Sequence, residues 1–409
     1  MSATRTPALE PRHPPNASAT ERVRALGTET AFAVAAAARR VAESGRDVVL
    51  MHIGEPGIPT PPHIVEAGIR ALRDGMTGYV APAGIPELRD AVAEATRARG
   101  IPCTADNVVV TSGAKPLMLY TLLALTDPGD VVLVPDPGFP IYESVARLGG
   151  ARPVRYAVRA GLHGLEASAL AAGIGPRTRL LVLNAPHNPT GSLIAPHELD
   201  AIAELVLEHD LVVLSDEVYG RLVFAGRHES IASRPGLAER TVLVDSFSKT
   251  YAMTGWRLGF GVMPAPLAEH VATLIINNTS CAPPFVQHAG VSALTGSQQC
   301  VDDLVARLRG TRDALVRGLA SIDGIAIAEP PAAFYAFPDV SALLDRSGVS
   351  VDEAADALLE RHGVAALAGT GFGPGGGRHL RLSYATSPDS IETAITRLRH
   401  WAADLSSLS

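Results

Sequence analysis

LLVLNAPHNPTGSLIAPHELDAIAELVLEHDLVVLSDEVY, residues 180–219, decides the fold. Two short apolar runs, LLVLNAP (180–186) and LVVLSDE (211–217), flank HELDAIAELVLEHD, whose apolar residues recur at helical spacing. The runs themselves are nearly continuous in apolar side chains, as strands covered by helices on both faces must be. Strand, helix and strand in that order make a parallel unit with a right-handed crossover. The same texture extends outward, through VVVTSG (108–113) and VVLVPDP (131–137) on one side and TVLVDSFS (241–248) and LGFGVM (258–263) on the other. The fold class is α/β, with a large domain built on a mostly parallel, doubly wound sheet.

Each run ends in polar or small residues: Ser112-Gly113, Asp136-Pro137, Asn184 to Asn188, Asp216-Glu217 and Ser246 to Lys249. Ligands of open α/β sheets sit outside the carboxyl ends of the strands, so these ends aim at one crevice. Beyond about residue 290 the texture changes to long Arg/Ala/Leu helices with two isolated strand-like pieces, FYAFPDV and HLRLSYA. This reads as a smaller α+β domain over 291–409, joined by an N-terminal segment, 25–50, that packs with it. The large domain then spans 51–290. Residues 1–24 read as a disordered lead-in, rich in Pro, Ser and Ala, without an apolar core of signal-peptide length.

Composition narrows the function classes. With 47% hydrophobic and 19% charged residues the chain belongs with globular enzymes, and a net charge of −7 argues against nucleic acid as a partner. Cys103, Cys281 and Cys300 are too few and too far apart for a disulfide framework or a CxxC metal site, so no metal and a reducing cytoplasm are expected. AFAVAAAARRVAE (31–43) is the nearest approach to a membrane span, and Arg39 and Arg40 cut it short; it reads as a helix. Of 35 Lys and Arg residues only Lys115 and Lys249 are lysine. Positions that stay Lys against such a bias are candidates for places where an amine is needed and a guanidinium cannot serve.

Six segments carry a resemblance: SFSKTYAMTGWRLGF (246–260), NAPHNPTG (184–191), SDEVY (215–219), GYVAPAGIPELRDAV (78–92), HIGEPGIPTPP (52–62) and LRLSYA (380–385). In kind and order they resemble the signature segments of the class I/II, fold-type-I aminotransferases, from about residue 25 to the C-terminus. That resemblance implies pyridoxal 5'-phosphate as cofactor and a homodimer. It makes Lys249 the Schiff-base lysine and proton shuttle, a role suited to an amine whose pKa is lowered by desolvation and cationic neighbours. Asp216 corresponds to the acid that pairs with the pyridine nitrogen; alone it would read as a strand-end helix cap. Asn188 and Tyr219 correspond to the donors to the ring's phenolate oxygen, although NPTG alone would read as a turn. Lys249, Asp216 and Tyr219 are the expected catalytic set.

For the cofactor's phosphate, Ser112-Gly113-Ala114-Lys115 stands where a strand enters a helix, and free amides at a helix start bind anions. Ser246 and Arg257 would add a hydroxyl and a charged fork. Tyr79 resembles the tyrosine that family members send across the dimer interface to the partner's phosphate. Phe139 falls where the family stacks an aromatic ring on the cofactor, with Tyr142 a rival and core packing the plain alternative for both. Arg381 resembles the arginine that grips the substrate α-carboxylate, with Asn188 beside it and Gly54 letting backbone approach the same group.

Some positions depart from the family pattern. Ala368 stands where proline is frequent, and Ala333 where glycine is commoner. Glu29 lies near a position where some dicarboxylate-specific relatives have serine, whereas Lys115 matches a lysine that some of them use for a distal carboxylate. The substrate stays open between these two hints. The implied reaction is amino transfer from an L-amino acid to a 2-oxo acid, with 2-oxoglutarate the expected acceptor. The same machinery suits a β-lyase, a racemase-like or an oxidase-like reaction. A non-catalytic ligand-sensing module fused to a DNA-binding domain is disfavoured by the short, Pro-rich N-terminus and the acidic net charge.

Overall fold

The computed structural model describes residues 19–407 apart from Ala25 and Thr28. Most of the expected lead-in, residues 1–18, lies outside the described residues. At its end Glu21–Arg24 forms one helical turn.

A short strand, β1 (Val49–Leu50), precedes the strands of the main sheet: β2 (Val108–Thr111), β3 (Val131–Asp136), β4 (Arg152–Ala157), β5 (Thr178–Asn184), β6 (Val212–Asp216), β7 (Thr241–Ser246) and β8 (Gly259–Val262). Their order across the sheet is β2-β8-β7-β6-β5-β3-β4. All neighbours pair in parallel except β8, which is antiparallel to both β7 and β2. The link from β7 to β8 holds only one helical turn, Phe247–Thr250, and reverses the chain, where a parallel return would need a full crossover. The mostly parallel α/β sheet is as the sequence implies. β4 was missed because RPVRYA is a partly exposed edge strand carrying Arg152 and Arg155, which hides its apolar pattern.

Side chains alternate across each strand and feed two separate cores. Val132, Val182 and Leu214 pack with the helices Lys115–Leu125, Ile141–Gly149 and Ala265–Ile276 on one face. Leu133, Leu181 and Val213 pack with Leu199, Ile202 and Val206 of the helix Pro196–Glu208 on the other. Full burial of each such side chain is worth about 1.5–3 kcal/mol, and this fixes the sheet as a rigid platform.

The C-terminal strands are β9 (Tyr335–Ala336), β10 (Val364–Ala365), β11 (Leu367–Ala368) and β12 (Leu380–Ser383). β11, β12 and β9 form an antiparallel sheet, and β1 pairs in parallel with β10. Around them lie the helices Gln299–Ala320, Val351–His362 and Pro388–Ser406; Trp401 is buried and its indole N–H donates to Ala354 O at 3.0 Å. The core here also contains Tyr219 and Leu222, which follow β6, so the two sheets meet beside the end of that strand. Among the described residues no helix is long and apolar enough to cross a membrane, and no cluster of His, Cys, Asp and Glu could hold a metal ion.

Candidate active site

A cavity of about 450 Å³ opens at the carboxyl ends of β3, β5, β6 and β7, where the smaller sheet closes over them. Asp216, the last residue of β6, forms part of its lining and is 2% exposed. Tyr142 donates its hydroxyl to Asp216 Oδ2 at 2.5 Å, and the Val218 amide donates to Oδ1 at 3.3 Å. Burial pushes the Asp216 carboxyl up to about 6 despite these donors. Among the described residues it has no cationic partner in contact, which suits this buried carboxylate to a protonated ring nitrogen. Tyr142, a rival for ring stacking by sequence, is instead the residue that orients Asp216. Phe139 also lines the cavity and meets Tyr142 edge to face at 5.8 Å.

Lys249, in the helical turn after β7, sends Nζ to the carbonyl oxygen of Gly54. Burial lowers its pKa to about 8, and Arg381 adds to the shift. Gly54 has a steric requirement: a Cβ there would overlap the Tyr335 hydroxyl. Tyr335 and Tyr219 share a hydrogen bond at 2.8 Å between their hydroxyls.

Arg381, in β12, is 4% exposed and lies with its guanidinium 4.3 Å from the Tyr335 ring centroid and 4.9 Å from that of Phe372. Nη1 donates to Asn188 Oδ1 at 3.1 Å and Nη2 to His52 O at 2.7 Å. Nε is buried with no partner among the described residues, an orphaned donor facing a site built for an acceptor. Asn188 is itself held: its amide donates to Asn184 Oδ1 at 2.9 Å, and Asn184 Nδ2 donates to Asp216 O at 3.0 Å. The strand-end residues are thus locked to each other.

The anion site is more selective than the sequence implies. Arg257, Ser246 and Ser248 line the cavity, and a Cβ on Gly113 would collide with the Arg257 guanidinium. Gly113 has φ +90° and its own N–H donates to Thr111 O at 2.8 Å. Of the four residues expected to supply amides there, Ala114 and Lys115 line the cavity, while Ser112 and Gly113 are not part of its lining. The Lys115 side chain turns to Glu29. Tyr79 lies away from the cavity, 89% exposed.

A basic fork beside serine hydroxyls and helix-start amides, one buried carboxylate, two hydroxyl or amide donors and a lysine fit the phosphate, ring nitrogen, phenolate oxygen and aldehyde of pyridoxal phosphate. Tyr142 was readable from the sequence only as a rival for ring stacking and Tyr335 not as a site residue at all, because an aromatic near a strand end looks like core until its hydroxyl finds a partner.

The family model for class I and II aminotransferases matches residues 46–398. The chain is 37% identical over 366 residues to an arginine–pyruvate transaminase of Pseudomonas aeruginosa, covering 89% of this chain and 92% of that protein. It is 34% identical over 393 residues to an aspartate aminotransferase of Geobacillus stearothermophilus, covering 93% and 98%. Among solved structures, the aspartate aminotransferase of Thermus thermophilus with maleate superposes with a TM-score of 0.88 at 34% identity, over 94% of this chain and 99% of that one. An alanine aminotransferase of Pyrococcus furiosus gives a TM-score of 0.88 at 28% identity, over 95% and 100%.

Proposed function

The chain belongs to the class I and II aminotransferases, and from that premise we propose that it moves the amino group of an L-amino acid to 2-oxoglutarate or a close relative, with Lys249 at the reacting centre. It is a pyridoxal-phosphate enzyme acting on amino acids and 2-oxo acids. The observation that carries the residue assignments is the convergence of Lys249, Asp216, Asn188 and Arg381 on one cavity from four separate segments of the chain.

When bound, pyridoxal phosphate supplies an electron sink that makes the substrate's α-hydrogen acidic. Asp216 holds a proton on the ring nitrogen, with Tyr142 fixing the carboxylate's direction. Asn188 Nδ2 and the Tyr219 hydroxyl donate to the phenolate oxygen; Asn188 Oδ1 already accepts from Arg381, which sets the direction of its amide. Arg257, Ser246 and the amides of Ala114 and Lys115 hold the phosphate. Arg381 grips the substrate α-carboxylate with the guanidinium edge that carries Nε, and its aromatic neighbours keep the fork from swinging. Lys249 Nζ, with a pKa near 8, is the base that would take the proton from the substrate α-carbon and carry it to the cofactor carbon on the far side of the imine nitrogen. Arg381 would fix the carboxylate end of the substrate, so that the α-hydrogen faces Lys249.

The working form is a cytoplasmic homodimer in which Tyr79 reaches the partner's phosphate site. The exposure of so large an aromatic side chain supports this reading.

The test is a screen in which the holoenzyme meets each amino acid singly, with conversion of the bound cofactor to its amine form and release of the matching 2-oxo acid both followed. Equal amounts of the two are expected. Release of pyruvate with a thiol or amine, and no amine form of the cofactor, would make the chain a lyase instead.

A further inference from the structure

Seven charged side chains line the cavity: Lys115, Lys249, Arg257 and Arg381 against Glu29, Glu55 and Asp216. The cofactor and α-carboxylate assignments above use Lys249, Arg257, Arg381 and Asp216. What is left is a wall made of Glu29, Phe32, Ile53, Lys115 and Phe372, together with Glu55. These are the charged and bulky lining residues open to the side chain of a bound amino acid.

The charge balance on the wall favours the anion. Glu29 Oε1 accepts from the Lys115 ammonium, which also sits 5.6 Å from the Phe139 ring centroid. That pair cancels the one cation available. Glu29 Oε2 has no hydrogen bond among the described residues, and Glu55, held by the Thr254 hydroxyl at 3.1 Å, adds a second negative charge. The field of both carboxylates reaches the reacting amine, since each opposes the lowering of the Lys249 pKa. Resting on the aminotransferase reading, we propose that Glu29 makes this wall a site for amino donors whose side chain ends in a guanidinium or ammonium, and that it turns away donors ending in a carboxylate.

A guanidinium presents a planar fork to the free oxygen of Glu29, and Phe32 and Ile53 flank its methylene stem. A carboxylate arriving at the same place meets two like charges and must first break the pair between Glu29 and Lys115. Lys115 alone would favour the dicarboxylate, so the sign of the selection depends on Glu29.

Two measurements on the holoenzyme test this. The first is kcat/KM of the donor half-reaction with arginine and with aspartate. The unaltered enzyme is expected to favour arginine by about tenfold or more, Glu29→Gln to cut that ratio by about tenfold, and Lys115→Met to raise it. Preference for aspartate in the unaltered enzyme, or an equal loss on both donors in Glu29→Gln, overturns the proposal. The second is calorimetric binding of 4-guanidinobutanoate and succinate, which have no α-amino group and need no turnover. Tighter binding of 4-guanidinobutanoate that is lost in Glu29→Gln supports the proposal even if no amino acid is converted, an outcome that would sink only the aminotransferase reading. Tighter binding of succinate, with some amino acid still converted, sinks the proposal alone.

Discussion

Lys249 meets two opposing demands: its amine must be neutral to attack an aldehyde, yet it lies among cations and carboxylates. Burial and Arg381 settle the matter by lowering its pKa from 10.5 to about 8. A base with a lowered pKa gains its neutral form earlier on the alkaline side. Uptake of pyridoxal phosphate by the cofactor-free chain should therefore rise about tenfold per pH unit below about 8 and level off above it. A stopped-flow series across pH reads this directly, and a rise continuing toward 10.5 would mean that Lys249 is not the residue that attacks. Asp216 has the opposite problem, a buried carboxyl held near 6 until a cation arrives. Asp216→Asn should retain the cofactor, since Tyr142 still finds an oxygen acceptor. It should slow the donor half-reaction by about 10²–10³-fold, the scale of losing one preorganised electrostatic partner. Undiminished half-reaction rates would remove Asp216 from the mechanism.

The strands do the positioning, and their ends are where sequence and structure agree most. The runs over β2, β3, β5, β6, β7 and β8 were legible because burial on both faces leaves near-continuous apolar stretches, and the polar residues that close them fall at one edge by topology alone. Contacts between residues far apart in the chain were not legible. Tyr335 meets Tyr219 across a separation of 116 residues, and Lys115 meets Glu29 across 86. Ala333, noted as a departure from glycine, has φ +62°, a region costing an L-residue about 1–2 kcal/mol, which accounts for glycine being commoner there. One buried network behind β6 was also invisible in the sequence. Glu217, next to Asp216, accepts from Arg99, from Ser215 at 2.8 Å and from Ser230 at 2.5 Å, and pairs with His228 at 3.0 Å. Burial alone would raise this carboxyl, but Arg99 and His228 hold it below the usual range. Glu217→Ala leaves Arg99 and His228 without their carboxylate and should destabilise the fold by about 3–5 kcal/mol in denaturant titrations at neutral pH. Because the folded-state pKa is depressed, the contribution is present above the unfolded carboxylate value and fades as pH falls through the acid range.

At the scale of the whole chain, the cavity is where three distant parts are fastened together. Arg381 of β12 holds His52, just after β1, and Asn188, just after β5, while the Ser383 amide donates to Met51 O at 2.7 Å. The catalytic arrangement and the docking of the smaller sheet are therefore one construction. Sedimentation should find a species of twice the chain mass, and Tyr79→Ala should weaken cofactor retention in that species without dissociating it; a monomer that transaminates normally would refute the shared site. The lysine inventory has a further consequence. Both lysines of the chain line this cavity, and Lys115, with 44% of its side chain exposed, is the ε-amine more open to acetylating or methylating chemistry. Any lysine adduct found on this protein therefore lies at the active-site cavity, and an acylating reagent that reaches Lys249 as well as Lys115 reports that the buried part of that site stands open.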